Sequence, residues 1–264
     1  MTPTAAETWA TALAEWAIPD HIVANAPEPP WYFPPELFAR IAKEALATVE
    51  ISPSRRQATA ALPDRGSVLD VGAGGGAASL PLAPPAALLV GLDPSQGMLD
   101  VFAAAADERG IAHREVLGDW PDAADQVEPV DVVVCHNVLY NVGDLGPFVQ
   151  ALTRCARRRV VVEITAEHPT SNMSPLWKAI HGIDRPTRPT ADGALAVLAE
   201  SGIVAHHEVF DRRWPSPMTE RSEAVAFARR RLCVGPDRDR EIDALLTPEI
   251  SQPTRQVYAI WWDV

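Results

Sequence analysis

The chain has 264 residues, 47% of them hydrophobic, and a formal net charge of −12. That length and apolar content support one α/β domain with additions and exclude wholesale disorder. The acidic balance argues against bulk binding of nucleic acid or an anionic membrane, which are held mainly by Lys and Arg.

In chain order, residues 4–18 place Trp9, Leu13, Trp16 and Ala17 on one helical face, and Pro19 ends that helix. Residues 27–35 are proline-rich around Trp31-Tyr32-Phe33 and fit neither a regular helix nor a central strand. Pro35 opens a helix through about Val49. The first strong strand, Ser67 to Val71, runs into Gly72-Ala73-Gly74-Gly75-Gly76. A second strand from Ala87 to Leu92 ends at Asp93, a helix spans 95–109, and a short strand spans 113–117 before Gly118-Asp119-Trp120. A strand from Val130 to Cys135, a helix over 144–157 and a strand from Arg159 to Thr165 follow, with Arg157-Arg158-Arg159 read as a solvated helix end. Asp144 is placed to N-cap its helix. Apolar runs without alternation predict strands buried on both faces, and the strand–helix rhythm predicts repeated βαβ units.

Residues 166–189 break that rhythm with prolines, His168 and His181. A helix over 190–201 and a strand over 203–213 resume it. Helices over 219–232 and 237–246 precede a last strand from Gln256 to Val264, an order that permits antiparallel closure. His206 and His207 alternate across their strand, so they form no joint site.

Cofactors of open α/β sheets sit at the carboxyl ends of the strands, and glycines after the first strand let the backbone approach them. The run Asp70 to Gly76 fits that place, but with Ala77 it also satisfies a loose dinucleotide pattern. Three acids bear on the choice of cofactor. Asp70 would repel a pyrophosphate yet can organise a loop around a cationic amino-acid group. Asp93 can accept both ribose hydroxyls, as either cofactor requires. Asp119 could accept from an adenine amine, with Trp120 lying along the ring.

In this order and spacing, Asp70-x-Gly72-x-Gly74-x-Gly76, Leu92-Asp93-Pro94-Ser95 with Met98, Gly118-Asp119-Trp120 and Val130 to His136 resemble a class I S-adenosylmethionine-dependent methyltransferase over about residues 66–165. The resemblance implies a Rossmann-like α/β fold: a seven-stranded sheet, mostly parallel with an antiparallel last strand, and helices on both faces. It implies that Asp93, with Pro94, Ser95 and Met98 beyond it, holds the ribose side. Gly72, Gly74 and Gly76 would lie against the amino-acid part, with Gly118, Asp119 and Trp120 at the adenine. S-adenosyl-L-methionine is then the cofactor and S-adenosyl-L-homocysteine the product. Residues 1–65 become an N-terminal helical and proline-rich extension or lid, and 66–264 the cofactor domain, with substrate-side insertions at about 166–189 and 214–248.

The reaction centre is expected past Cys135. His136 is the best-placed titratable group there, bordering cofactor and acceptor, and Glu163 at the next strand end is a second candidate base. Trp31, Tyr32, Tyr140 and His168 are the candidate acceptor contacts. An Asn/Asp-Pro-Pro-Tyr pattern is absent, which lowers the case for nucleobase or amide N-methylation. The expected activity is O-methylation of a small molecule, with sugars and secondary metabolites the leading acceptors. The rival readings are a non-catalytic adenosyl-cofactor binder or partner subunit and an NAD-dependent oxidoreductase. No metal-ligand set can be assembled, so magnesium is an option that is not favoured.

Cys135, Cys155 and Cys233 are widely spaced, which suits reduced thiols in a cytoplasm. No signal-peptide pattern opens the chain, and Pro81, Pro84 and Pro85 interrupt its most apolar stretch. The expectation is a cytoplasmic protein with a small-molecule partner, no nucleic acid, no membrane, and room for a homodimer.

Overall fold

A computed structural model describes residues 2–32, 35–213, 220–251 and 253–264. Phe33 and the start of the expected 214–248 insertion lie outside the described residues. The elements run α1 (Ala5–Ala14), α2 (Asp20–Val23), α3 (Pro35–Ala47), α4 (Pro53–Ala61), β1 (Gly66–Val71), β2 (Ala86–Asp93), α5 (Gln96–Glu108), β3 (Ala112–Leu117), β4 (Val130–His136), α6 (Leu145–Cys155) and β5 (Ala156–Thr165). They continue with α7 (Ser174–His181), α8 (Ala191–Glu200), β6 (His206–Arg213), α9 (Arg221–Arg231), α10 (Asp239–Leu245), α11 (Pro248–Ser251) and β7 (Thr254–Asp263).

The seven strands lie in the order β3-β2-β1-β4-β5-β7-β6. Pairing is parallel from β3 to β5, and β7 runs antiparallel to both β5 and β6. This is the expected Rossmann-like sheet. Its strand order reverses between β1 and β4, which leaves a crevice at their carboxyl ends.

Strand alternation sorts the side chains into two cores. Leu69, Val133 and Val162 face α1, α6 and α8, against Trp9, Phe148, Leu152 and Ala194. Val68, Val134 and Val161 face α3, α4 and α5, against Ala42, Ala58 and Phe102. A third core joins distant stretches above the carboxyl ends. Ile18 and Ile22 pack there with Met173, Leu176 and Trp177 of the first insertion and Val225, Ala228, Leu232 and Ile242 of the second. The two insertions thus build one helical cap, and α2 belongs to it.

The segment 1–65 divides between layers instead of standing apart as an extension. Trp9 of α1 is buried in one sheet core and donates its indole N–H to the Val142 carbonyl at 2.8 Å. Ala58 of α4 is buried in the other. Local signals explain both helices. Thr4 and Glu7 form a reciprocal capping box on α1. Ser52 caps α4 and Pro53 takes its first turn.

Several boundaries differ from the sequence expectation. The first helix stops at Ala14, so Trp16 is buried beyond it and Ala17 is exposed. Helix α4 was not foreseen. The stretch 166–189 contains α7, ended by Gly182 in the left-handed region. Arg157, Arg158 and Arg159 are the first residues of a strand, not a helix end: α6 stops at Cys155, and β4–β5 pairing already includes Ala156. Arg159 then pairs with Asp263 at 2.7 Å. Asp144 occupies the N-cap position of α6, but its side chain makes no capping hydrogen bond. No helix among the described residues is long and apolar enough to cross a membrane.

Candidate active site

A cavity of about 1700 Å³ opens where β1, β2, β4 and β5 end beneath the cap. Ligand pockets commonly measure about 300–1,000 Å³, so this cavity is larger than one such ligand needs. Its floor is backbone. Gly72 (φ 72°) and Gly74 (φ 51°) adopt the left-handed conformation after β1. A Cβ on Gly72 would stand 2.5 Å from Val138 Cγ2, and one on Gly74 would stand 2.9 Å from the Phe38 ring. A side chain at either glycine would therefore clash with the residues packed against this cradle.

Asp93 is buried at the end of β2 and spans this cradle. Its Oδ2 accepts from the Gly74 N–H and its Oδ1 from the Ser95 N–H, each at 2.9 Å. Each oxygen keeps a lone pair for a ligand hydroxyl. Ser95, not Asp93, is the N-cap of α5. Pro94, Ser95 and Met98 continue the wall, followed by Asp119 and Trp120. Asp119 is exposed. Trp120 is partly committed elsewhere: its N–H donates to the Phe148 carbonyl at 3.2 Å, and its ring meets Phe148 edge-on.

Of the expected cofactor residues, Asp70 borders the cavity, while Gly76 and Gly118 sit behind its wall. Asp70 is buried and accepts from Ser79 Oγ at 2.6 Å. Burial pushes its carboxyl up to about 7, against the Ser79 hydrogen bond and with a further rise from the Asp93 charge. It ties β1 to the far end of the glycine loop. Gly76 packs toward Phe102 and Leu80, and Gly118 lies against Ala123. Neither lines the cavity.

At the end of β4, His136 pairs in register with Glu163 of β5. Both lie on the cavity wall. Nδ1 of His136 is 4.0 Å from Glu163 Oε2, while Nε2 is buried with no hydrogen-bond partner. Burial lowers the imidazole pKa; Glu163 opposes this and Arg212 adds to it. The ring is therefore neutral at neutral pH. Asn137 turns the chain here with φ 60°, and its N–H donates to the Glu163 carbonyl at 2.7 Å.

Glu163, the second candidate base, is tied into an ion pair. Its side chain is fully buried and accepts from both Arg212 Nη atoms and from Ser54 Oγ. Burial alone would raise its pKa, but His136, Arg212 and the hydrogen bonds from Ser54 and Arg212 outweigh burial and hold it below the usual value. A carboxylate so held is a weak proton acceptor and a strong fixed charge.

The expected acceptor residues form the opposite wall. Tyr140 stacks on Trp9 at 5.5 Å, and its hydroxyl is spent on the Thr165 and Ala166 carbonyls. It offers a ring and no free hydroxyl. His168 stacks on Trp16 at 3.9 Å and meets the Tyr140 ring edge-on at 5.2 Å. Burial, with Arg185 and Arg255 nearby, pushes its pKa down to about 3. Trp31 and Tyr32 are half exposed, and their rings meet Arg231 and Arg230 of α9 at 5.3 and 5.7 Å. His181 lies in the cap, where it stacks near Trp177 and its Nε2 contacts the Leu232 carbonyl at 2.7 Å.

Sequence reasoning missed Ser54, Arg212 and Trp16 as parts of this site. Ser52-Pro53-Ser54 carries a helix-start signal that would have placed Ser54 in a first turn. No local signal marks Arg212, whose partner is 49 residues away. No cluster of metal-ligating side chains occurs among the described residues.

A family model described as a methyltransferase domain matches residues 68–159. The ubiquinone biosynthesis O-methyltransferase of Azorhizobium caulinodans is 40% identical over 83 residues, 31% of this chain and 33% of that protein. The Rhizobium etli protein of the same name is 34% identical over 92 residues, 34% of this chain and 35% of that one. The chain thus spans about a third of the length of these curated relatives. Among solved structures, YcgJ of Bacillus subtilis superposes with a TM-score of 0.51 at 14% identity, over 86% of this chain and 97% of that one. The magnesium protoporphyrin IX methyltransferase of Synechocystis PCC 6803, solved with bound S-adenosylhomocysteine, gives 0.50 at 18% identity, over 85% and 83%. At these identities the structures establish a shared fold. The matched methyltransferase domain spans β1 to the first residues of β5, and the sheet around it has the Rossmann-like fold of these structures.

Proposed function

We propose that this chain binds S-adenosylmethionine in the cradle of Gly72, Gly74 and Asp93 and methylates a hydroxyl of a small molecule, a sugar or secondary metabolite. The observation that carries this reading is His136: a neutral imidazole beside the cradle, with an unpartnered Nε2 and a carboxylate behind Nδ1. The cradle fits the cofactor on its own chemistry. Asp93 retains two acceptor sites for ribose hydroxyls beside the glycine loop on the cavity wall. Asp119 serves the adenine end. The O-methyltransferase names of the curated relatives support an oxygen acceptor.

When bound, S-adenosylmethionine supplies a methyl group on a positively charged sulfur. The protein's part is to place the acceptor hydroxyl in line with that bond, exclude water, and receive a proton. His136 Nε2 would receive the proton of an acceptor hydroxyl held beside it, and the cradle would hold the cofactor. The aromatic wall of Trp31, Tyr32, Tyr140 and His168 holds the acceptor skeleton.

The test is calorimetry with S-adenosylhomocysteine, followed by a screen of hydroxylated metabolites with a labelled methyl donor. His136→Ala is expected to cut turnover about 10²–10⁴-fold while changing S-adenosylhomocysteine affinity less than about threefold. Absence of binding at millimolar ligand defeats the cofactor reading. Wild-type turnover in the variant removes His136 from the chemistry.

A further inference from the structure

Four elements send a side chain to one buried point. Glu163 comes from β5, His136 from β4, Arg212 from β6 and Ser54 from the first turn of α4. Ser54 is completely buried, and its hydroxyl donates to Glu163 Oε2, the oxygen nearest His136. Ser52, the helix cap, places its own hydroxyl 3.2 Å from that of Ser54. Arg212 reaches across β7 and grips both carboxylate oxygens. Ion pairs this deep rarely repay their desolvation relative to packed apolar side chains. Their position behind the proposed base gives them another use.

The inference rests on the reading of His136 as the base. We infer that Ser54 and Arg212 are positioning residues: together they hold Glu163 ionised and fixed behind Nδ1 of His136. At 4.0 Å the carboxylate is beyond hydrogen-bond range, yet its field favours the tautomer with the proton on Nδ1. The lone pair then lies on Nε2, the atom that has no protein partner. Arg212 has a second effect. Its cation keeps Glu163 from drawing a proton onto His136, so the ring stays neutral and able to accept one. Ser54 supplies the neutral donor that fixes which oxygen faces the ring.

The charges acting on His136 are Glu163 from β5 and Arg212 from β6. Helix α4 adds the Ser54 hydroxyl, with Arg55 on the same cavity wall, and β1 adds Asp70, which is turned to Ser79. These assignments order the outcomes of one experiment: NMR titration of the histidine rings in full-length protein, with the His136 signal assigned through His136→Gln.

Arg212→Met should move the His136 midpoint up by about 1 pH, because it removes the cation that offsets Glu163, and Ser54→Ala should move it down by about 0.5 pH, because Glu163 then takes up a proton more readily. Ser54→Thr, which keeps the hydroxyl, should restore the wild-type midpoint. Glu163→Gln should move it down. Midpoints unchanged in Ser54→Ala and Arg212→Met, while Glu163→Gln shifts, would overturn the positioning roles. If Arg212→Met fails to fold around an uncompensated Glu163, the Ser54→Ala and Ser54→Thr pair decides. S-adenosylhomocysteine calorimetry on the same samples keeps the two readings apart. Loss of binding in the wild type defeats the proposed activity, whereas a flat titration series with intact binding defeats only this inference.

Discussion

The two sides of the cavity are built by different means. The cofactor side is local and mostly backbone. Gly74 and Asp93 are 19 residues apart, and Asp93 and Ser95 are two apart. The acceptor side is assembled by side chains from remote parts of the chain. Ser54 meets Glu163 across 109 residues, Trp16 donates to the Arg188 carbonyl across 172, and Arg231 donates to the Pro30 carbonyl across 201. A binding surface made of glycine conformations and strand-end acids needs little beyond one βαβ unit. A surface made of stacked rings and buried ion pairs needs the whole fold in place first.

The largest expected effect tests the local side. Asp93→Ala removes the carboxylate that fixes the glycine loop and strips two acceptor sites from the cradle. Charge-assisted hydrogen bonds contribute about 1.5–3 kcal/mol each. With partial compensation by water, S-adenosylhomocysteine affinity should fall on the order of 100-fold. Calorimetry reads this directly. An affinity within about threefold of wild type would mean that Asp93 is only a loop brace, and the contrast between the sides would lose its main support.

The same contrast decides what the sequence made legible. Strands β1, β2, β4 and β5 are apolar runs, with glycine after β1 and an acid ending β2, so their type and order were readable. His136 could be placed because it ends one of those runs. Its relation to Glu163 depends on β4–β5 register, which neighbouring residues do not encode. Glu163 looked like a base because nothing near it in sequence reveals Arg212 or Ser54. The cap was harder still. Its core joins Ile22, Trp177 and Ile242, drawn from short helices with no shared period. A helical pattern announces that a face will be buried, but not against which partner.

A second prediction concerns how burial charges the two sides. His168, on the acceptor wall, is held neutral with its pKa at about 3, below the unfolded value. Between pH 6.5 and 3 the unfolded chain therefore binds more protons there, and stability falls as pH falls. Asp70, beneath the cradle, is shifted the other way, to about 7. Between about pH 4 and 7 the folded chain binds more protons there, and stability rises as pH falls. From pH 7 to 5 each term is worth about 2 kcal/mol with opposite sign, so they offset. His168→Phe keeps a ring on Trp16 and removes one of them. Relative to wild type, the variant should gain about 2 kcal/mol on going from pH 7 to 5. Urea unfolding at both pH values measures this. An equal difference between the proteins at the two pH values would show that His168 titrates normally.

The smallest effect separates the sides most cleanly. Trp31 lies over Arg231, Glu28 three residues earlier takes Arg230 at 3.0 Å, and Arg231 donates to the Pro30 carbonyl, so the segment before α3 is fastened to α9 by arginine side chains. Trp31 is half exposed, where a ring–cation contact contributes about 0.5–1 kcal/mol. Trp31→Ala should lower unfolding stability by that amount and leave S-adenosylhomocysteine affinity within about twofold, because none of the cradle's hydrogen bonds involves the cap. If affinity instead falls with stability, the cap and the cradle respond as one unit, and the cofactor would be held partly by closure of the far wall.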